Sequence, residues 1–265
     1  MEKKKKTKNK KRFTWVNLAQ LLTVAALLLW MQWAVDSGRV LTIFVASPTS
    51  IVEEGIKIIT DGTLWPHLLL TIQEALAGYL SAVVVGIAVG LIWTLFPVSE
   101  KYMNVFCSAI MAVPKVAILP LLILWFGIGE MSKVFIIIIG TFVPCLLNAY
   151  NGVRLVDPDL YDVIRVLGGK RRDEIFHVCF PASFPAVFAG LQISLSSAWT
   201  CVLAAELMNS RDGMGFLIKR GMDTHQPTLV LGGMVLIAAA AYGTSLLVTL
   251  FEGKLCPWKR TIENL

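Results

Sequence analysis

The distribution of charge along this chain limits its fold more than any other feature. Five stretches contain no Asp, Glu, Lys or Arg: residues 13–35, 75–99, 134–153, 175–205 and 224–251, of 23, 25, 20, 31 and 28 residues. A sixth apolar region, 102–129, is interrupted only by Lys115. A helix needs about 20 apolar residues to cross the hydrocarbon core of a bilayer. The pattern predicts an all-α integral membrane protein with six crossings, near 15–35, 68–96, 104–126, 132–150, 183–208 and 228–251. Composition agrees, since 56% of the 265 residues are apolar and 16% charged, against about 45–50% and 25% in soluble domains. That balance argues against a water-soluble enzyme or a free nucleic-acid binder. The longest segments between crossings, about 36–67 and 151–182, leave little chain for a separate soluble domain.

The charges that remain orient the crossings. Lys3, Lys4, Lys5, Lys6, Lys8, Lys10, Lys11 and Arg12 crowd the start, and Arg154, Arg165, Lys170, Arg171 and Arg172 fall between crossings four and five. With the N-terminus inside, 17 of the 24 Lys and Arg residues lie in inner segments. Six lie outside, at Arg39, Lys57, Lys133, Arg211, Lys219 and Arg220. Basic residues concentrate on the cytoplasmic side of membrane proteins, so both termini are expected there. The basic run reads as a topogenic flank attracted to anionic lipid rather than as a nucleic-acid arm. The expected organisation is a basic cytoplasmic N-terminus (1–14), a membrane domain (15–252) with a cytoplasmic loop at 151–182, and a cytoplasmic tail (253–265). The first apolar run is too long for a signal-peptide core and ends without a small-x-small cleavage site. Five cysteines without a Cys-x-x-Cys pair indicate neither a disulfide framework nor a zinc site.

Within the crossings, a few residues stand out. Gly78, Ala82, Gly86 and Gly90 place a small residue at every fourth position of the second crossing, a stripe that lets another helix approach closely. Glu74 lies one step earlier on the stripe and Glu206 near the outer end of the fifth crossing. Each is either functional, as an ionisable group at membrane depth usually is, or a hydrated or hydrogen-bonded structural group. Pro114 and Pro120 predict a bend in the third crossing. Lys115 between them is expected to avoid lipid, either lining an anion path or reaching a carbonyl or the interface along its flexible stem. Glu74, Lys115 and Glu206 are the candidate path residues.

The cytoplasmic loop carries a second signal. Asp157 is a good helix N-cap, Pro158 fits the first helical position, and Gly168 suits the left-handed residue past a helix end. Between them Leu160, Val163, Ile164 and Leu167 follow helical spacing. That short amphipathic helix has an apolar face that packs either on its own crossings or in a partner's groove.

The same loop resembles the EAA motif of bacterial ABC importer permeases. Asp162-Val163-Ile164, Gly168, Val178 and Phe180-Pro181 keep its spacing, with Asp for Glu, Val-Ile for Ala-Ala and Phe for Leu. Ser47-Pro48-Thr49, the run 121–130, the segment 153–158, and Ala204-Ala205-Glu206 with Gly213 and Gly215 are similar to the nitrate, sulfonate and taurine branch. The segment 73–78 and Pro114-Lys115 are closer to importers of thiamine-precursor pyrimidines. The resemblance implies a type I importer permease fold in the bacterial inner membrane. It further implies a homodimer, with a separate ATPase and an extracytoplasmic solute-binding protein as partners. Leu160, Asp162, Val163, Ile164, Leu167 and Gly168 would then couple to the ATPase. The chain has no Gly-x4-Gly-Lys-Ser/Thr phosphate loop, so ATP and Mg would be bound by that partner, with no cofactor in this chain. The expected solute is an organic sulfonate, taurine, nitrate or a similar anion, with a pyrimidine as the alternative. A self-sufficient secondary transporter is one rival, but its usual internal repeat is not visible between residues 1–130 and 131–265. An integral-membrane enzyme is the rival from another class, but the clustered carboxylates, histidines or nucleophile with a base that it would need are not found at a recognisable spacing.

Overall fold

The computed structural model describes the backbone of residues 2–41, 45–94, 96 and 100–258, and the side chains of these apart from 2–14, 16–17, 100–101 and 209. The basic side chains of the N-terminal run, Lys101, and Lys259 and Arg260 of the tail therefore fall outside the described residues. In chain order the helices are α1 (Glu2–Asp36), α2 (Pro48–Thr60), α3 (Leu64–Trp93), α4 (Glu100–Ala112), α5 (Lys115–Phe126) and α6 (Glu130–Arg154). They continue as α7 (Pro158–Val166), α8 (Arg171–Asp173), a π turn (Glu174–Cys179), α9 (Phe180–Asn209), α10 (Met214–Asp223) and α11 (Pro227–Leu255).

Five of the expected crossings are single helices long and apolar enough to span a bilayer: 18–36, 64–93, 130–154, 171–208 and 227–255. Most extend beyond the apolar runs because helical hydrogen bonding continues into charged ends such as Glu130 and Arg154. The third is two helices, α4 and α5, meeting at 81°. The break falls at Val113-Pro114, where the residue before a proline is driven out of helical conformation. Pro114 itself is extended, at φ −63° and ψ 104°. Pro120, the other expected source of a bend, sits inside α5 without ending it.

The chain divides into two compact units. One comprises 64–216 and 236–265, with α3, α6 and α9 at its centre. The small-residue stripe of α3 faces α6. A Cβ added at Gly78 would come within 2.6 Å of Ile137, one at Gly86 within 2.9 Å of Cys145, and one at Gly90 within 3.0 Å of Ala149. The sequence offset in each pair is 59 residues, the same as between Glu74 and Lys133, so α3 and α6 run parallel with one constant register. Contacts of Gly140 with Cys201, Gly190 with Asn148 and Gly152 with Ser183 show α9 antiparallel to α6. Tyr79 donates to the Leu191 carbonyl at 3.0 Å and Trp199 to Thr244 at 3.0 Å, tying α9 to α3 and α11. Lys133, counted among the outer charges, lies in the first turn of α6 and is 5% exposed.

The other unit comprises 1–63 and 217–235. Ser47 caps α2 by accepting from Ser50 N at 3.2 Å, with Pro48 in the first turn. Gln32 of α1 accepts from the Thr49 amide at 3.3 Å and its hydroxyl at 3.2 Å. The Ser47-Pro48-Thr49 segment is thus a helix start anchored to the first crossing.

Candidate functional site

Two of the three candidate path residues, Glu74 and Glu206, meet other elements at the Glu130 end of α6. Lys133 Nζ lies 2.5 Å from Glu74 Oε1 and donates to Ser210 Oγ at 3.0 Å. The side chains of this ion pair are only 6% and 4% exposed. Glu206, fully buried, accepts from the Thr71 hydroxyl at 2.6 Å and from Gly215 N at 2.7 Å. Thr71 Oγ1 in turn accepts from Met214 N at 2.9 Å, and His67 Nδ1 from Gly213 N at 3.0 Å. The amides of 213–215 are therefore met by side chains from α3 and α9, and Glu206 places negative charge where a helix start favours it.

This arrangement explains the glycines in the Glu206 segment. A Cβ on Gly213, whose φ is +105°, would run into the Glu206 carboxylate, and one on Gly215 would approach Glu206 Cβ to 2.5 Å. Sequence reasoning found Glu74 and Glu206 but missed Lys133, Thr71 and Ser210. The available signal was that a lone acid at the end of a packing stripe needs a counter-charge at the same depth on the facing helix.

Lys115 is the first residue of α5, at the 81° break. It is half-buried, and its Cδ would lie 3.6 Å from a Cβ built on Gly140, close to Cys201. Gly140 is about 15 Å along α6 from Glu130 and about 21 Å from Arg154. Among the described residues Lys115 has no ion-pair partner.

The loop after α6 folds as the short helix α7. Asp157 accepts from Asp159 N at 3.0 Å, Pro158 occupies the first turn, and Gly168 follows the helix at φ +79°. The apolar positions split between two faces. Ile164 turns inward, where a Cβ on Gly169 would meet its Cγ2 at 2.5 Å, and Tyr161 is also partly covered. Burial, reinforced by the Cys179 thiol, pushes the Tyr161 phenol up to about 12. Leu160, Val163 and Leu167 remain outside at 46%, 55% and 77% exposure, joined by Val166, which the sequence reading passed over. Arg165 holds the helix to the π turn by donating to Glu174 at 2.7 Å, and contacts Asp162 at 3.2 Å. Val178, within that turn, is buried. Among the described residues no three His, Cys, Asp or Glu side chains are grouped to hold a metal ion.

The chain is 33% identical over 260 residues to the putative aliphatic sulfonates transport permease protein SsuC of Bacillus subtilis (strain 168), covering 98% of this chain and 94% of that one. It is 30% identical to the taurine transport system permease protein TauC of Escherichia coli (strain K12), over 90% and 89% of the two chains. Inward-facing structures of the MetNI methionine ABC transporter share its fold, with TM-score 0.54 at 16% identity over 70% of this chain and 92% of that one. The model of one family, the binding-protein-dependent transport system inner membrane components, matches residues 82–260. The chain therefore belongs to that family and is a multi-pass transport permease subunit of the ABC importer type.

Proposed function

We propose that this chain forms the membrane path of an ATP-driven importer for a small anion, and that α7 couples the path to a separate ATPase. The observation that carries this reading is the uncovered apolar face of Leu160, Val163, Val166 and Leu167 on a capped helix outside the apolar spans. In a globular chain such a row would be buried, and here the capped ends and the Arg165–Glu174 tie hold it as one piece. Asp162 supports Arg165, Ile164 packs against the turn, and Gly168 ends the helix, so all three position the face presented by Leu160, Val163 and Leu167. ATP and Mg belong to the ATPase. A second copy of the permease completes the path, the membrane domain spans 15–252, and the segments 1–14 and 253–265 are cytoplasmic.

Lys115 supports an anionic solute. A half-buried cation far from both ends of α6, with no ion-pair partner among the described residues, is costly at membrane depth unless it serves a passing charge. Glu74 contributes to the path at the Glu130 end of α6, where Glu206, fully buried and held at both oxygens, positions the 213–215 turn beside it. The sulfonate and taurine names of the two relatives favour an organic sulfonate, delivered by an extracytoplasmic binding protein.

The experiment is uptake and ATPase association in the assembled importer with Val163→Asp and Leu160→Asp. Both changes are on exposed positions, so the permease is expected in the membrane at normal abundance, with ATPase retention and uptake each reduced at least tenfold. Normal retention and uptake would refute the coupling role. In the same assay Lys115→Met is expected to lower sulfonate uptake without loss of ATPase association.

A further inference from the structure

Next to the buried Glu74–Lys133 pair lies a cavity of about 440 Å³, within the usual range for small-molecule sites. Its polar lining is Glu74, Glu130, Lys133, Ser210, Arg211 and Asp212. Glu74 is 4% exposed, and while Oε1 is taken by Lys133, its Oε2 is buried with no hydrogen-bond partner. Buried carboxylate oxygens are normally satisfied, so this one calls for a donor. Arg211 is exposed and makes no hydrogen bond or ion pair among the described residues, leaving its planar fork available for an anion.

We infer that this cavity binds a small zwitterion, its ammonium on Glu74 Oε2 and its anionic end on Arg211. The inference rests on the anion-importer reading and narrows its substrate class to amino-bearing sulfonates. A bare metal cation would leave the Arg211 guanidinium at the same cavity without an anionic partner. A simple anion would leave Oε2 without a donor. An ammonium offers three N–H groups, one for Oε2 and the others for Glu130 and Asp212 at the same cavity.

The test is equilibrium binding to the full chain in phospholipid nanodiscs, with three probes. Taurine carries both charges, ethanesulfonate lacks the ammonium, and ethylamine lacks the sulfonate. Taurine is expected to bind at least tenfold more tightly than either. Glu74→Gln should abolish its advantage over ethanesulfonate, and Arg211→Gln its advantage over ethylamine. Equal binding of the three probes, or a taurine preference that survives Arg211→Gln, overturns the site. Glu74→Gln leaves Lys133 without its counter-charge, and if that variant does not assemble, the exposed Arg211 position and the wild-type probe series decide. ATP-driven ethanesulfonate uptake with no taurine preference at the cavity would sink the site and leave the importer reading standing. Glu74-dependent taurine binding without ATP-driven sulfonate uptake would do the reverse.

Discussion

Around Glu206 the chain has no room for a methyl group. The Gly213 and Gly215 backbones close over its carboxylate, and the Gly215 amide donates to it. Gly215→Ala must displace a fully buried acid held at both oxygens, a form of overpacking that costs about 1–3 kcal/mol. We expect its melting temperature to fall by several degrees in detergent. Gly55→Ala, on α2 where an added Cβ meets nothing within 4 Å, should be neutral or slightly stabilising, since alanine is the better helix former. Equal melting of the two variants would show that the 213–215 segment does not close over Glu206 as described. The sequence revealed Glu206 as an acid at membrane depth and singled out both glycines. It did not reveal that they belong to one contact, because the partners Thr71 and Gly215 lie 135 and nine residues from Glu206 and only the tertiary fold brings them to one carboxylate.

At the scale of elements, α7 was legible because its signals are local: a capping aspartate, a proline in the first turn, helical apolar spacing and a closing glycine. Which apolar residues face outward was not, since Ile164 is drawn inward by the backbone turn at Gly169. The break in the third crossing was legible as proline chemistry, but its 81° angle depends on how α5 packs against α6, as in the stacked rings of Phe126 and Phe135 with centroids 4.3 Å apart. Gly168 gives α7 its sharpest prediction. Its φ is +79° and nothing lies within 4 Å of an added Cβ, so substitution there is limited by backbone conformation rather than by space within this chain. Asparagine visits the left-handed region readily and a β-branched residue does not. Gly168→Asn should retain most uptake and ATPase association, while Gly168→Val should lose at least tenfold of both. If both variants fail alike, the ATPase needs the missing side chain itself, and the turn geometry is not what matters.

On the scale of the whole molecule, the spans were countable from sequence because lipid imposes a length on every apolar run. Their pairing was not, since the constant 59-residue register of α3 on α6 needs both helices in place before the stripe of 74, 78, 82, 86 and 90 has a partner. Energy supply is the property that only the whole molecule can have. Of the charged groups in the spans, Lys133 is bound to Glu74 and Ser210, Glu206 is held by Thr71 and Gly215, Glu252 lies 3.5 Å from the Gln192 amide, and Lys115 stands without an ion-pair partner among the described residues. A secondary transporter needs carriers for its driving ion that are released and reloaded in each cycle, and a pair as buried as Glu74–Lys133 resists separation because parting it strands a charge at several kcal/mol. On the proposed reading, work therefore enters from outside the spans, through α7 with its exposed apolar row. Liposomes holding the purified chain alone should accumulate no sulfonate under an imposed proton or sodium gradient. With the ATPase and binding protein added, accumulation should start on addition of ATP and Mg and stop when a non-hydrolysable nucleotide replaces ATP. Gradient-driven accumulation by the chain alone would reverse the assignment of the energy source and leave α7 without its role.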